Sequence, residues 1–324
     1  MKKLMVALLA TAGLATACAT QAPEAQADNS AAGQAAAPAN VQRASLPDAD
    51  PAMWVVKDED TTIYLFGTFH LLDGKTDWLN DEVKQAFDQS QELVFEIDMP
   101  KDMSKMAEAM APLMMRHAMD QQGRTISSRL TAEENKKLAE ALKPLGASPA
   151  MFDKFKPWFV NMMLSGASAQ KQGLTTGNGA EEVLRRAEEG RNMKMGSVET
   201  VEQQIKMFDD MPDEPQLKQL KTTLGQMEKD TDTLPRMLRV WNAGDAEGLA
   251  KEMNDGIPDP ALRRALLENR NRAWAEWIDQ RLDQPGTVFM AVGAGHLVGS
   301  DSVQVFLKQR GIGSERVPQL TPQQ

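Results

Sequence analysis

Two stretches of this chain, far apart in sequence, follow one pattern: an apolar run that stops at a glycine, with a histidine three residues later. The first reads Ile63-Tyr64-Leu65-Phe66-Gly67-Thr68-Phe69-His70-Leu71, the second Val288-Phe289-Met290-Ala291-Val292-Gly293-Ala294-Gly295-His296-Leu297. An apolar run without polar alternation suits a strand buried on both faces, which is the condition of a parallel sheet covered by helices. The glycine lets the backbone turn sharply at the sheet edge, where the carboxyl ends of parallel strands gather ligands. The chain has three histidines in all, and two of them occupy this equivalent place. Gly67 and Gly293 therefore read as supports for His70 and His296, which project into one crevice.

The remaining patterns build a sheet around these runs. Trp54–Lys57, the polar turn Asp58-Glu59-Asp60 and Thr61–Phe66 read as a β-hairpin. Leu79–Ser90 has helical spacing and leads into the strand-like Glu92–Asp98, so strand, crossover helix and strand predict parallel neighbours with a right-handed connection. From Ser104 to about Met211 the spacing is mostly helical, interrupted at Pro144, Pro149, Pro157 and a turn around Gly173–Gly177. A short element, Met193–Ser197, returns to the sheet before a helix that starts near Thr200. Helical spacing resumes over Glu214–Arg239, with a break near Pro235, and over Pro260–Leu282. Thr287–Val292 is a buried strand, followed by a helix over Ser302–Arg310 and a short strand at Glu315–Val317. The class expected is α/β: a central mixed, mostly parallel sheet with paired strand-Gly-x-x-His elements and a helical insert. One domain over 46–317 holds all of it, with 318–324 a frayed tail.

The first 45 residues have another character. Residues 1–17 carry Lys2 and Lys3, an apolar run and small residues, the pattern of an export signal that is too short for a stable span. Ala15-Thr16-Ala17-Cys18 resembles a bacterial lipoprotein processing box, with Ala15 where leucine is usual. Cys18, the only cysteine, would then be the acylated first residue of the mature chain. Residues 18–45, rich in Ala, Gln and Pro, read as a disordered tether. The expected location is the periplasmic face of the outer membrane, or the soluble periplasm if Cys18 is not acylated. A formal net charge of −10 argues against nucleic acid as a partner and against binding to anionic lipid, so membrane attachment falls to the anchor.

Two imidazoles at strand ends can supply nitrogen ligands to one divalent metal, or a base and an electrophile without metal. Glu96 ends the apolar Leu93-Val94-Phe95, with Asp98 on the same strand face, and Glu199 follows the short Met193–Ser197 element. Each carboxylate can enter the crevice, although a solvated surface role is the ordinary fate of an acidic residue. His117 lies on a helical pattern without matching context, which favours packing. A single cysteine excludes disulfide and thiolate-cluster chemistry. The zincin helix, the phosphate loop and the serine nucleophile elbow are likewise missing from the sequence.

From about Pro51 to Val317 the chain resembles the TraB/GumN family, which is similar in its core motifs to the Tiki metalloproteases and to erythromycin esterase-like and ChaN-like proteins. The residues that carry the resemblance are Tyr64–His70, Phe95-Glu96-Ile97-Asp98, Ser197-Val198-Glu199-Thr200 with Gln203 or Gln204, Arg270-Asn271, and Val292–Leu297. It implies one site in which His70, Glu96, Glu199 and His296 hold a divalent metal (Mn, Co or Zn), with Arg270 and Asn271 beside it. Its expected use is a metal-activated water with Glu96 or Glu199 as base and Arg270 binding a substrate carboxylate or an oxyanion. Asn269 stands where the family often has glutamate, a change that bears on how Arg270 is oriented. The function implied is a metal-dependent, peptidase-like hydrolase of the bacterial envelope acting on a peptide or other small substrate. The alternative is a non-catalytic metal- or haem-binding envelope lipoprotein. Oligomeric state is not legible.

Overall fold

The computed structural model describes residues 46–97, 103–227, 232–254, 257 and 259–320. The expected signal, Cys18 and tether, Asp98, and the last four residues of the expected tail lie outside them. Among the described residues there are six strands: β1 (Met53–Lys57), β2 (Thr61–Thr68), β3 (Glu92–Ile97), β4 (Lys194–Glu199), β5 (Gly286–Gly293) and β6 (Glu315–Arg316). They form one sheet in the order β4-β3-β5-β2-β1-β6. β2, β3, β4 and β5 run parallel, and β1 is antiparallel to both β2 and β6. The fold is therefore α/β with a mixed, mostly parallel central sheet.

β5 takes the centre because it has the apolar character the centre demands. Val288 through Val292 are all fully buried, and a strand buried on both faces must be apolar along its length. This corrects one expectation: β2 and β3 are parallel, but they are not neighbours. β5 lies between them, pairing Ile63 with Val288 on one side and Leu93 with Phe289 on the other. The hairpin of β1 and β2 pairs Met53 with Phe66.

Side chains alternate between the two faces of the sheet. Phe66, Phe95 and Phe289 pack with Trp78, Phe87 and Trp241 on one face. Leu65, Val94, Val288 and Met290 pack with Trp274, Ile278 and Leu307 on the other. The latter face is covered by the helices Asn269–Leu282 and Val303–Gln309. The helical middle adds its own cores, around Trp158 and Phe208 and around Leu164 and Leu220. Among the described residues no helix is long and apolar enough to cross a membrane.

Local sequence explains two departures in the helices. Pro235 sits in the first turn of the helix Thr233–Asn242, where its missing N–H has no intrahelical partner to lose, so it does not break that helix. The expected helix over Pro260–Leu282 contains a π turn at Arg264–Glu268, a wide turn of the kind often found at functional sites. At the end of β2, the indole Nε1 of Trp241 donates to the Gly67 carbonyl at 2.7 Å, and Phe66 stacks on Trp78 at 5.3 Å between centroids. Trp241→Phe keeps a ring but leaves that buried carbonyl without its donor. It is expected to lower the unfolding free energy by about 1–3 kcal/mol in urea titrations; an unchanged midpoint would show that the strand end is not held there.

Candidate functional site

Parallel strands deliver their carboxyl ends to one edge, and the candidate residues arrive there from separate elements. Glu96 comes from β3 and Glu199 from the end of β4, where Ile97 pairs with Glu199. His296 lies in the 3₁₀ turn Ala294–Leu297 that follows β5. Arg270 and Asn271 open the helix Asn269–Leu282 directly after the π turn. Thr200 caps the helix Val201–Asp209 in a reciprocal box with Gln203, and the next residue, Gln204, turns its amide towards the two glutamates.

These residues close into one buried network. Arg270 Nη2 donates to Glu96 Oε2 at 2.7 Å and to Glu199 Oε2 at 2.9 Å, and Nε donates to Glu199 Oε1 at 2.7 Å. Arg270 Nη1 lies 2.8 Å from His296 Nε2 and also reaches the Leu266 carbonyl of the π turn at 3.3 Å. Gln204 Nε2 donates to both carboxylates at 2.9 Å, Trp274 Nε1 to Glu199 Oε1 at 3.0 Å, and the Gly293 amide to Glu96 Oε1 at 2.7 Å. A Cβ at 293 would stand 2.8 Å from Glu96 Oε1, so glycine lets the carboxylate reach this backbone amide without a shift.

The network fixes the imidazole of His296 as well. A guanidinium can only donate, so Nε2 accepts from Arg270 and Nδ1 carries the proton, which it gives to Asn271 Oδ1 at 2.5 Å. Asn271 in turn donates to the Asp301 carbonyl. His296 is 2% exposed. Its burial first, then the neighbouring Arg270 charge, hold its pKa well below the usual histidine value, and His70 adds to this against the opposing pull of Glu199. The Arg270 pKa is raised: burial alone would lower it, but Glu96 and Glu199 outweigh that.

His70 stands at the end of the neighbouring β2, where Thr68 pairs with Gly293, and it has a different partner. Its Nδ1 lies 2.7 Å from Glu181 Oε1, and the Thr68 hydroxyl donates to the same oxygen. Burial would raise the Glu181 pKa, but the charge and hydrogen bond of His70, with the Thr68 hydroxyl, lower it below the ordinary carboxylate range. Backbone contacts set this meeting. Leu72 and Thr175 exchange hydrogen bonds, and the Ala180 amide donates to the Phe69 carbonyl at 2.9 Å. A Cβ at residue 179 would stand 2.1 Å from the His70 carbonyl oxygen, so Gly179 is what lets the two segments touch. Phe69, Leu71, Leu174, Leu234 and Met237 line a mainly apolar pocket whose wall includes His70 and Gly293.

The structure thus gathers Glu96, Glu199, Arg270, Asn271 and His296 into one cluster and places His70 beside it in a dyad with Glu181. His117 sits apart, in the π turn Met114–Ala118, with Nδ1 2.9 Å from Asp209. Sequence reasoning missed Glu181, Trp274 and the Asp301 carbonyl. The turn ending in Gly179 just before a helix was the one local signal for Glu181.

Metal ligation needs lone pairs converging on one point. All four oxygens of Glu96 and Glu199 face N–H donors, and Arg270 lies between them, so the cluster as arranged does not fit a metal ion. Among the described residues, the one group of three carboxylate or imidazole donors within 4.8 Å of one another is Asp48, Asp50 and Asp81. These three can share a divalent ion. Burial and the nearby Asp48, Glu82 and Asp81 raise the Asp50 pKa.

The depressed pKa of His296 has a direct consequence for stability. As pH falls through the ordinary histidine range the unfolded chain takes up a proton at residue 296 that the native chain refuses. The stability this group contributes is therefore present above that range and lost on acidification. Stability is expected to fall between pH 7 and pH 5. His296→Gln should flatten the pH dependence of denaturation over that interval; parallel profiles would show that the imidazole titrates as in water.

The chain is similar in sequence to several known proteins. The chain is 28% identical over 188 residues to the uncharacterized protein YbaP of Escherichia coli (strain K12), spanning 56% of this chain and 68% of that protein. It is 23% identical over 290 residues to an uncharacterized protein of Treponema pallidum, spanning 84% and 85%. It is 24% identical over 325 residues to the protein named Metalloprotease TIKI1 of Danio rerio, spanning 85% of this chain and 65% of that one. No solved structure matches the chain. Residues 52–316 match the TraB/PrgY/gumN family, and the chain belongs to that family.

Proposed function

We propose that the chain is a peptidase-like hydrolase of the bacterial cell envelope, in which His70 takes a proton from the attacking water. The observation that carries this reading is the His70–Glu181 dyad, 2.7 Å across, set beside the buried cluster of Glu96, Glu199, Arg270 and His296. A base oriented by a carboxylate is the recurring device for activating a nucleophile. Glu181 accepts from Nδ1 of His70 and so fixes the orientation of the imidazole. The Thr68 hydroxyl holds Glu181 in turn. In this reading Arg270 acts on the protein itself, fixing Glu96, Glu199 and His296, rather than on a substrate carboxylate or an oxyanion.

The relatives named metalloproteases support a peptide bond as the target. The export pattern of residues 1–17 and the box ending at Cys18 support an envelope location, with a lipid on Cys18 as the link to the membrane. A second reading, a non-catalytic metal-binding envelope lipoprotein, draws its support from the Asp48, Asp50 and Asp81 carboxylates.

The test is turnover of a fluorogenic peptide library, varied at its apolar positions, by the full chain. His70→Ala is expected to lower kcat/KM by about 10²–10⁴-fold, the usual worth of a positioned base. Glu181→Gln should lower kcat with KM little changed. Hydrolysis that survives His70→Ala at the parental rate would overturn the assignment, and saturable divalent-ion binding lost in Asp50→Asn, with no cleavage of any peptide by the parent, would favour the second reading.

A further inference from the structure

We propose that Arg270 is the resident cation of this site: its guanidinium holds the place between Glu96, Glu199 and His296 that a divalent ion would otherwise take. The cluster therefore binds no such ion while Arg270 is present. Two carboxylates and one imidazole from three elements are a donor set that suits a transition metal. Each donor atom such an ion would need already accepts a hydrogen bond from Arg270 or one of its neighbours. Nη2 bridges the two glutamates at 2.7 and 2.9 Å, Nε takes the other Glu199 oxygen at 2.7 Å, and Nη1 meets His296 Nε2 at 2.8 Å. The remaining groups around the carboxylates, the Trp274 indole, the Gln204 amide and the Gly293 backbone amide, approach through N–H donors, which cannot ligate a metal.

Entry of an ion is opposed twice over. A dication beside a guanidinium brings like charges together where little water screens them. Moving Arg270 aside would strand a charge that is only 9% exposed away from both of its counterions. Arginine is also suited to the post in a way lysine is not. Its planar fork reaches two carboxylates and an imidazole at once, and it stays protonated throughout the working range. The inference concerns what fills the cluster and holds whether or not the chain cleaves peptides.

Cobalt(II) titration of the full chain, followed by visible absorption and equilibrium dialysis, tests this. Asp50→Asn is carried in every protein to silence the Asp48, Asp50 and Asp81 group. With Arg270 in place, no saturable cobalt binding that depends on His296 is expected. Arg270→Ala opens the position and should gain one equivalent of cobalt with nitrogen and oxygen ligation, lost again in Arg270→Ala/His296→Ala. A folded Arg270→Ala protein that takes up no cobalt would overturn the proposal. If Arg270→Ala does not fold, the parent decides. A cobalt spectrum abolished by His296→Gln contradicts a resident guanidinium, and its absence supports one.

Discussion

Burying a guanidinium with two carboxylates is tolerable only when each charged atom finds a partner, because the desolvation of three ions is otherwise larger than their mutual attraction. Arg270, Glu96 and Glu199 meet that condition with donors from Gln204, Trp274 and the Gly293 amide. The three charges come from β3, β4 and the helix after the π turn, so the ion pairs tie together elements that are distant in sequence. Losing one member leaves the others buried and unpaired, a situation that typically costs about 3–5 kcal/mol. The same contacts hold His296 neutral and in a single tautomer.

The sheet makes this meeting possible. β5 lies between β2 and β3, so the segments that follow β2 and β5 leave the sheet side by side. Backbone proximity at two glycines does the rest. Gly293 passes against the Glu96 carboxylate, and Gly179 passes against the His70 carbonyl. The first places the closed cluster and the second brings Glu181 to His70. A buried charged core and a histidine dyad at a pocket wall thus share one edge of the sheet.

Much of this was legible in the residues. Uninterrupted apolar runs at Ile63–Phe66 and Val288–Val292 announced buried strands, and the pairing of Gly-x-x-His segments pointed to the edge where they end. The helix after Pro260 followed from its apolar spacing. Strand order was not legible, because a crossover of one helix between β2 and β3 fits adjacent strands as well as strands separated by a third. Glu181 was hidden for a related reason: it meets Thr68 across 113 positions, and only a backbone contact at Gly179 brings it there. Composition and spacing identify Arg270 as a charge near carboxylates. They cannot tell whether its fork faces a substrate or turns inward, since that depends on the π turn and on Gln204 and Trp274 having already engaged the same oxygens.

The most direct measurement of the central claim is a crystal structure of the full chain grown in excess zinc, with anomalous data collected at the zinc edge. The expected result is the Arg270 guanidinium in hydrogen-bond contact with Glu96, Glu199 and His296, with no anomalous peak among them. An anomalous peak bonded to His296 and either glutamate, with Arg270 swung away, would contradict it.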